Sequence, residues 1–298
     1  MKTLVIAVFA ALGATACAFA DVYRWIAQDG RWSDAKNWRN DTVSAEGQTC
    51  PGAEDTVRFW PEMSVRVDVD GDFAVKHLEL MQGTAGKKEA VVLAGEGSLV
   101  IGEEGGEGTT SYLLVYANRS LKLSGADVSV ISGVQYVYED AEMVVGEGSV
   151  YRPKYHYMIM AGGRLVLDGG EILELPGGGG KIEMKDHWTS SDVGRNIAYF
   201  DIIGGVFKTS LVVGNGIFRM GGGLAAPVNG GTVFSKYADV KVTGGELVLK
   251  TNKDYPIGNR GVIPDGGTLT LGSNAVLQEN ILSRRCFPTM RKITIRRG

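Results

Sequence analysis

The sequence predicts an all-β fold, a right-handed parallel β-helix in which short strands stack in successive coils. A strand–glycine–strand unit, best formed at 239–250 (DVKVTGGELVLK), returns in looser form along much of the chain. Several of these glycine corners lie 22 residues apart, which suits one coil of a solenoid with repeats of about 20 residues or more. Glycine accounts for 43 of 298 residues, roughly twice its usual share. An antiparallel β-sandwich with a similar number of strands is the alternative.

The 239–250 unit predicts which side chains face the interior. Apolar and polar residues alternate on both sides of the Gly244–Gly245 pair, and a period of two is typical of a strand with one buried face. The glycine pair allows a tight corner between the two strands. We therefore expect Val240, Val242, Leu247 and Leu249 to point inward, and Lys241, Thr243 and Glu246 to point outward.

Residues 1–20 have the pattern of a secretory signal peptide. Lys2 precedes an apolar run from Leu4 to Leu12, and Ala18-Phe19-Ala20 forms a small-x-small cleavage site before Asp21. Lipoprotein processing at Cys17 is the alternative, but residues 14–16 lack the bulky aliphatic residue that such a site prefers. No later stretch reaches the ~18 apolar residues of a membrane-spanning helix. The mature chain is therefore expected to have no transmembrane segment, and to be secreted or held at the surface of a bacterium.

Residues 21–80 differ from the rest of the chain because they hold four of its five tryptophans: Trp25, Trp32, Trp38 and Trp60. The first coil of a solenoid exposes its apolar interior, and a terminal unit must cover it. Large aromatic side chains cover such a surface efficiently, so we predict that 21–80 is an N-terminal cap. As an alternative, Trp25, Trp32 and Trp38 form a platform that binds carbohydrate.

The motif W…DGRWSDAKNW…PGAEDTVRF in this segment resembles the opening of secreted bacterial β-helix proteins, such as autotransporter passengers and pectin-lyase-like solenoids. The resemblance covers about 21–80 by motif and about 90–280 by the style of the repeats. It implies a cap followed by short strands with Gly-Gly corners. Because the family has no single activity, the resemblance brings no catalytic residues with it.

Residues 81–280 are predicted to form the repeats of the β-helix. The second corner position falls, by count, at Gly97, Ala126, Gly148, Gly170, Gly205, Gly231, Gly245 and Gly267. The uneven gaps between these positions predict loops inserted at the corners. The two longest insertions are expected at 177–197 and 252–264.

Residues 281–298 form an atypical basic tail, with six Lys or Arg from position 284 onward and no acid. It is either an ill-ordered or altered end of the chain or a basic patch for anionic surface polymers. The remaining chain has 25 basic against 34 acidic residues, a balance that does not suit a nucleic-acid binder. Cys50 and Cys286 lie near opposite ends of an elongated repeat protein, so we expect them to be unpaired.

A calcium site is the one metal site that the sequence suggests. Asp68, Asp70 and Asp72 alternate along the chain, and such carboxylates can converge on a hard cation. The glycine of this stretch is fourth, however, whereas an EF-hand loop has it sixth. An acidic hairpin turn is the alternative, and no other cofactor is predicted.

The sequence favours a non-enzymatic protein, a structural rod or an adhesin-like passenger that contacts a polysaccharide or a host surface. One alternative is a polysaccharide lyase or hydrolase on the same scaffold. In lyases of the family, acids on neighbouring coils hold calcium beside an Arg or Lys base. Here Glu171 and Glu246 occupy the same place after Gly-Gly, but no catalytic set can be nominated. The other alternative is a carbohydrate-binding module, and the fold does not decide among the three.

Overall fold

The structure is a computed structural model that describes residues 20–60, 62–103, 112–154, 156–159, 162–176, 179–184, 197–227, 232–250, 268–280 and 293–295. This part of the chain is all-β, with a single 3-10 helix at Ala35–Asn37. The signal segment up to residue 19, the 252–264 insertion, most of 177–197 and most of the basic tail lie outside the described residues.

Twenty-five strands are numbered here in chain order. The first thirteen are β1 (Val22–Trp25), β2 (Asp29–Arg31), β3 (Trp38–Asn40), β4 (Ala45–Glu46), β5 (Thr56–Phe59), β6 (Val65–Asp68), β7 (Asp72–Val75), β8 (His77–Leu80), β9 (Glu89–Ala94), β10 (Ser98–Ile101), β11 (Tyr112–Val115), β12 (Arg119–Ser124) and β13 (Asp127–Val130). The others are β14 (Val134–Val137), β15 (Glu142–Gly146), β16 (Val150–Pro153), β17 (His156–Ile159), β18 (Arg164–Leu173), β19 (Lys181–Met184), β20 (Ala198–Lys208), β21 (Ser210–Met220), β22 (Leu224–Ala225), β23 (Thr232–Lys250), β24 (Thr268–Asn280) and β25 (Ile293–Ile295).

Parallel pairing joins these strands into three ladders. The first ladder contains β1, β5, β8, β11, β14, β17, β19 and the starts of β21 and β23. The second contains β2, β6, β9, β12, β15, the starts of β18 and β20, then parts of β21, β23 and β24, and β25. The third contains β7, β10, β13, β16, the ends of β18 and β20, then β22 and the ends of β23 and β24. From β5 to β23 the chain visits the three ladders in order and returns to the first, and we call each passage through the ladders a coil, including the first one, which begins at β1.

The pairing register confirms the 22-residue repeat in the middle of the chain. Tyr112 pairs with Val134, and Ser120 pairs with Glu142, so partners in adjacent coils differ by 22 positions. Longer coils carry extra residues where the chain changes ladder. The described strands show this as wider spacing in sequence: β10 of the third ladder ends at Ile101 and β11 of the first begins at Tyr112, and β19 of the first ladder ends at Met184 while β20 begins at Ala198 in the second.

Most of the side chains that point into the space between the ladders are apolar. In the 239–250 unit Val240, Val242 and Leu247 are buried while Lys241 and Thr243 are exposed, which confirms the predicted alternation. Glu246 is half-buried, and the side chain of Leu249 lies outside the described part.

Glycines stack on one another at the corner between the second and third ladders. A Cβ added at Gly223 would lie 2.5 Å from the carbonyl oxygen of Gly205, and one at Gly205 would overlap the carbonyl oxygen of Gly170. Gly223 also has φ +74°, a left-handed conformation that disfavours other residues. The corner therefore needs glycine both for its dihedral angle and for the close approach of the next coil.

Two corners lie elsewhere than the sequence count placed them. Gly231 is outside the described residues, and the chain turns instead at Gly221–Gly223, between β21 and β22. The third-ladder strand of this coil, β22, has only two residues, so this corner follows Gly205 after fewer residues than the sequence count gives. Gly267 is also outside the described residues, and the pairing of β24 with β23 places that corner at 272–274.

Antiparallel pairing between strands occurs only near the N-terminus of the described chain, where β3 pairs with β1 and β4 pairs with β3. The β-sandwich alternative, which is built from antiparallel sheets, does not fit this pairing. Strands β1 and β2 already belong to the parallel ladders, so the part of 21–80 that departs from the repeats is about 35–46. In the tail, β25 adds to β24 in parallel.

Candidate binding site

Three of the four N-terminal tryptophans are packed inside the first coils. Trp32 and Trp38 are 0% exposed and Trp25 is 6% exposed. The ring of Trp38 lies edge-on to both others, with centroid distances of 4.9 Å to each. The indole N–H of Trp38 donates to the carbonyl oxygen of Trp32 over 2.8 Å. The three rings belong to the buried apolar core of the described residues, and none of them presents a face on which a sugar could stack.

The fourth tryptophan, Trp60, is 49% exposed. It follows β5, in which Val57 and Phe59 point inward, so a period of two directs Trp60 outward. This alternation is a sequence signal that distinguishes Trp60 from the other tryptophans. The carbohydrate hypothesis instead names Trp25, Trp32 and Trp38, which are buried. The exposed aromatic surface of this region is therefore at Trp60.

Trp60 borders a cavity of about 310 Å³. The cavity lies beside the connections between the first and second ladders in the first two coils, where the chain leaves β1 and β5. Its lining residues are Trp25, Ile26, Ala27, Gln28, Phe59, Trp60, Glu62, Met63 and Val65. Ile26 and Met63 are exposed, like Trp60, so the cavity opens to solvent through an apolar rim. We call it the Trp60 cavity.

Polar groups accompany the aromatic lining. Trp25 has a buried indole N–H with no hydrogen-bond partner among the described residues, and a buried donor without an acceptor is unfavourable. The side chains of Gln28 and Glu62 are exposed. The backbone of Gln28 is fixed, because its carbonyl oxygen accepts from the amide of Arg66 over 3.0 Å. Mostly apolar walls with a few polar groups are typical of small-molecule sites.

A second aromatic surface runs along the outer face of the first ladder. We call Tyr112, Tyr116, Tyr136 and Tyr138 the tyrosine strip. The rings of Tyr116 and Tyr138 stack on each other, with centroids 4.9 Å apart and planes 3° apart. These two residues lie 22 positions apart, so the repeat length was a usable signal that sequence reasoning missed.

The carboxylate beside the tyrosine strip is engaged within the protein. Glu79 is buried, and its carboxylate accepts from Arg58 over 2.6 Å. Burial, together with a hydrogen bond to Glu79 and the charge of that carboxylate, raises the pKa of Tyr112 to about 12. Burial and the neighbouring tyrosines raise the pKa of Tyr138 to about 12. The rings of Tyr116 and Tyr138 already stack on each other, and the carboxylate of Glu79 is already paired with Arg58. The Trp60 cavity is therefore the stronger candidate for a binding site.

The three aspartates considered for calcium take part in separate contacts. Asp70 accepts hydrogen bonds from the amide and hydroxyl of Ser33 at 3.1 and 2.5 Å. Asp72 accepts from the hydroxyl of Ser98 over 2.7 Å, and Asp68 ends β6 in the second ladder. Within the described ranges no three His, Cys, Asp or Glu side chains are grouped as metal ligands. The calcium site stays a prediction without a geometric basis in this part of the chain.

The two glutamates that share a place after Gly-Gly are not neighbours. In the third ladder, Glu171 pairs with Val206, and Glu246 pairs with Leu224. Val206 and Leu224 also pair with each other, so three strand spacings, about 14 Å in all, separate the two acids. They therefore do not form the carboxylate pair on adjacent coils that a lyase of this kind would need.

Cys50 has a free thiol. It donates to the carbonyl oxygen of Ser33 over 3.1 Å, and burial raises the pKa of the thiol. Cys286 lies outside the described residues, so the absence of a disulfide between the two stays a prediction.

No protein-family model, curated protein or solved structure matches the chain. Among the described residues no helix has the length and apolar character that a membrane crossing requires.

Proposed function

We propose that the chain is an exported, non-enzymatic β-helix protein with an adhesin-like role, which contacts an extracellular surface through the Trp60 cavity. The observation that carries this proposal is the position of the cavity. It lies beside the first strands of the first and second ladders, where an aromatic side chain is left exposed beside a tightly packed aromatic cluster. A stack of strands that presents a concave site beside its first strands suits a binding protein.

The right-handed parallel β-helix is the arrangement of the ladders that we infer. Successive coils return to the same ladder in parallel register with a repeat near 22 residues. Connections between parallel strands are almost always right-handed, because a right-twisted strand packs back onto its sheet only that way. The glycine stack at one corner also supports coils that lie directly above one another.

Export is supported by the sequence of residues 1–20, with its basic start, apolar run and small-x-small site. The cap-like motif resembles the opening of secreted bacterial β-helix proteins. We therefore place the mature protein outside the cytoplasm, secreted or at the cell surface of a bacterium. A polysaccharide or a host surface is the partner that we propose.

The proposal is tested by expressing the full chain in a bacterial host and separating the cytoplasm, envelope and medium. We expect a processed protein outside the cytoplasm, and we expect the purified form to sediment with insoluble polysaccharides or intact cells. Retention in the cytoplasm with residues 1–20 intact, and no sedimentation with any surface, would contradict it. Release of unsaturated or reducing sugars from a polysaccharide panel would instead favour the enzyme alternative.

A further inference from the structure

We propose that the Trp60 cavity binds one or two sugar rings of an uncharged glycan, with the apolar face of a ring stacked on the indole of Trp60. This inference rests on the proposed function, because it names the ligand class for the same site. It moves the carbohydrate hypothesis from Trp25, Trp32 and Trp38, whose rings are buried, to a tryptophan that is half exposed.

The size of the cavity favours a small ring over a folded partner. Its volume of about 310 Å³ lies at the lower end of the ~300–1,000 Å³ that is typical of small-molecule sites. A stable protein–protein contact needs a much larger surface, on the order of 1,200 Å² in total. A mono- or disaccharide unit at the end or side of a longer glycan fits a concave site of this size.

The chemistry of the lining matches the two kinds of surface on a sugar ring. The C–H groups on one face of a pyranose carry a slight positive charge, and the face of an aromatic ring is negative. Exposed Trp60 offers such a face, with Met63 and Ile26 beside it. The hydroxyl groups around the ring need hydrogen-bond partners, and Gln28 and Glu62 supply both donors and acceptors.

Glu62 supplies a further reason for a polar ligand. Its side chain is exposed and lines the cavity. An apolar occupant would take this carboxylate out of water without compensation, which is costly.

The negative charge of Glu62 favours an uncharged sugar over a uronic acid. Glu62 is the only charged residue among the described lining of the cavity. A uronate would bring a second carboxylate close to it, and like charges at short distance repel. We therefore expect neutral hexose oligomers to bind more tightly than oligogalacturonate.

The test titrates the processed full chain with neutral oligosaccharides (gluco-, manno- and galacto-oligomers) and with oligogalacturonate, using calorimetry and tryptophan fluorescence. We expect saturable binding of at least one neutral series, and at least tenfold weaker binding of the uronate. Trp60→Ala should weaken the neutral ligand at least tenfold. Trp60→Leu, which keeps an apolar side chain but removes the ring face, should weaken it nearly as much.

Ile203→Ala is the matched control, because Ile203 is 55% exposed and is not part of the cavity lining. Its affinity should stay within twofold of the wild type, and thermal unfolding of each variant confirms that it is folded. The inference is overturned if no neutral series binds, if Trp60→Leu binds within twofold of the wild type, or if the uronate binds best.

Failure of this inference can be told apart from failure of the proposed function. If the processed protein adheres to cells or insoluble polysaccharide and Trp60→Ala adheres equally well, the sugar site at Trp60 is contradicted while the adhesin-like role is supported. If the protein is neither exported nor adherent, the proposed function itself is wrong.

Discussion

Gln135 is a polar residue at a position of the first ladder where its partner in the preceding strand is Leu113. Its side chain is 0% exposed, and its Oε1 accepts from the hydroxyl of Tyr151, which is also fully buried. Tyr151 belongs to the third ladder, so this hydrogen bond crosses the interior between two ladders. A buried polar group that loses its partner costs about 1–3 kcal/mol, and the two side chains are therefore coupled.

Tyr151→Phe should lower the free energy of unfolding by about 1–3 kcal/mol, because it leaves the Gln135 carbonyl without this donor. Adding Gln135→Leu to that variant should restore most of the loss, since both polar groups are then replaced by apolar ones. Chemical denaturation of the wild type, the single variant and the double variant measures both effects. A double variant less stable than the Tyr151→Phe single variant would show that the two residues are not coupled in this way.

His77 makes the free energy of unfolding depend on pH below neutrality. Its ring stacks on Tyr112 with centroids 4.0 Å apart, and its Nδ1 is buried with no partner in the described part of the chain. Burial lowers the pKa of His77 below its usual value, against the smaller opposing effect of Glu79. The stabilising contribution is therefore present above about pH 6.5, the pKa of His77 in the unfolded chain, and is lost as the pH falls below that value and through the lower pKa of the folded state.

The wild type should accordingly lose more thermal stability between pH 7 and pH 5 than His77→Phe, which keeps an aromatic ring against Tyr112. Melting temperatures of the two proteins across this range give the difference. An NMR titration of the His77 ring supplies the direct check, and a pKa at or above 6.5 would refute the assignment.

At the scale of elements, the stacked corner glycines can be separated from ordinary turn glycines. Gly223 and Gly86 have φ of +74° and +78°, so the backbone strain of a substitution is nearly the same at both. A Cβ at Gly223 would lie 2.5 Å from the carbonyl oxygen of Gly205, whereas a Cβ at Gly86 would meet nothing within 4 Å.

Gly223→Ala should therefore destabilise the protein by about 1–3 kcal/mol more than Gly86→Ala, the excess being the overpacking between coils. Both variants are compared with the wild type by urea denaturation. Equal losses would mean that the coils can move apart at this corner without cost.

The N-terminal aromatic cluster offers a second comparison between like residues. Trp38 is fully buried between Trp25 and Trp32, whereas Trp60 is 49% exposed. Trp38→Ala should cost about 3–5 kcal/mol, as expected for a large buried aromatic residue. Trp60→Ala should change stability by about 0.5 kcal/mol or less. Thermal and chemical unfolding of the two variants measures these losses. A larger loss of stability in Trp60→Ala than in Trp38→Ala would contradict the assigned roles.

Charged side chains join coils on the outer face of the second ladder. Asp201 is buried, and it accepts from Arg164 of the preceding strand over 2.7 Å. It also accepts from both Nε and Nη2 of Arg219 in the next strand of the ladder. The carboxylate therefore links three adjacent strands, and the sequence alone did not show this because the two arginines lie 37 and 18 positions from Asp201.

At the scale of the whole molecule, the sequence predicted the repeat but not the exposure of particular side chains. Alternation and corner spacing depend on local periodicity, so the inward positions of Val240 and Val242 and the 22-residue register followed from it. The corner at Gly221–Gly223 did not, because the length of a coil depends on how its shortest strand pairs. The exposure of Trp60 follows from the alternation in β5, whereas the burial of Trp38 between Trp25 and Trp32 depends on which residues pack together in three dimensions, and local periodicity does not contain that information.

The fold also bears on the proposed cleavage after Ala20. Asp21 is held at three atoms: its amide donates to Asp55 over 2.9 Å, its carbonyl oxygen accepts from Thr56 over 2.8 Å, and its carboxylate accepts from Asn40 over 2.8 Å. Cleavage after Ala20 would turn that amide into a charged ammonium group beside the Asp55 carboxylate. Charge-assisted hydrogen bonds contribute about 1.5–3 kcal/mol, so processing at this bond should strengthen the contact.

We therefore expect the intact mass of the exported protein to match a chain that begins at Asp21. Asp55→Asn should lower the stability of the processed protein by more than it lowers that of the form that retains residues 1–20, because only the processed form carries the ammonium charge at this place. Mass spectrometry and parallel denaturation of the four proteins test both statements. A mature chain that begins elsewhere, or equal losses in the two forms, would contradict the proposed pairing of Asp21 with Asp55.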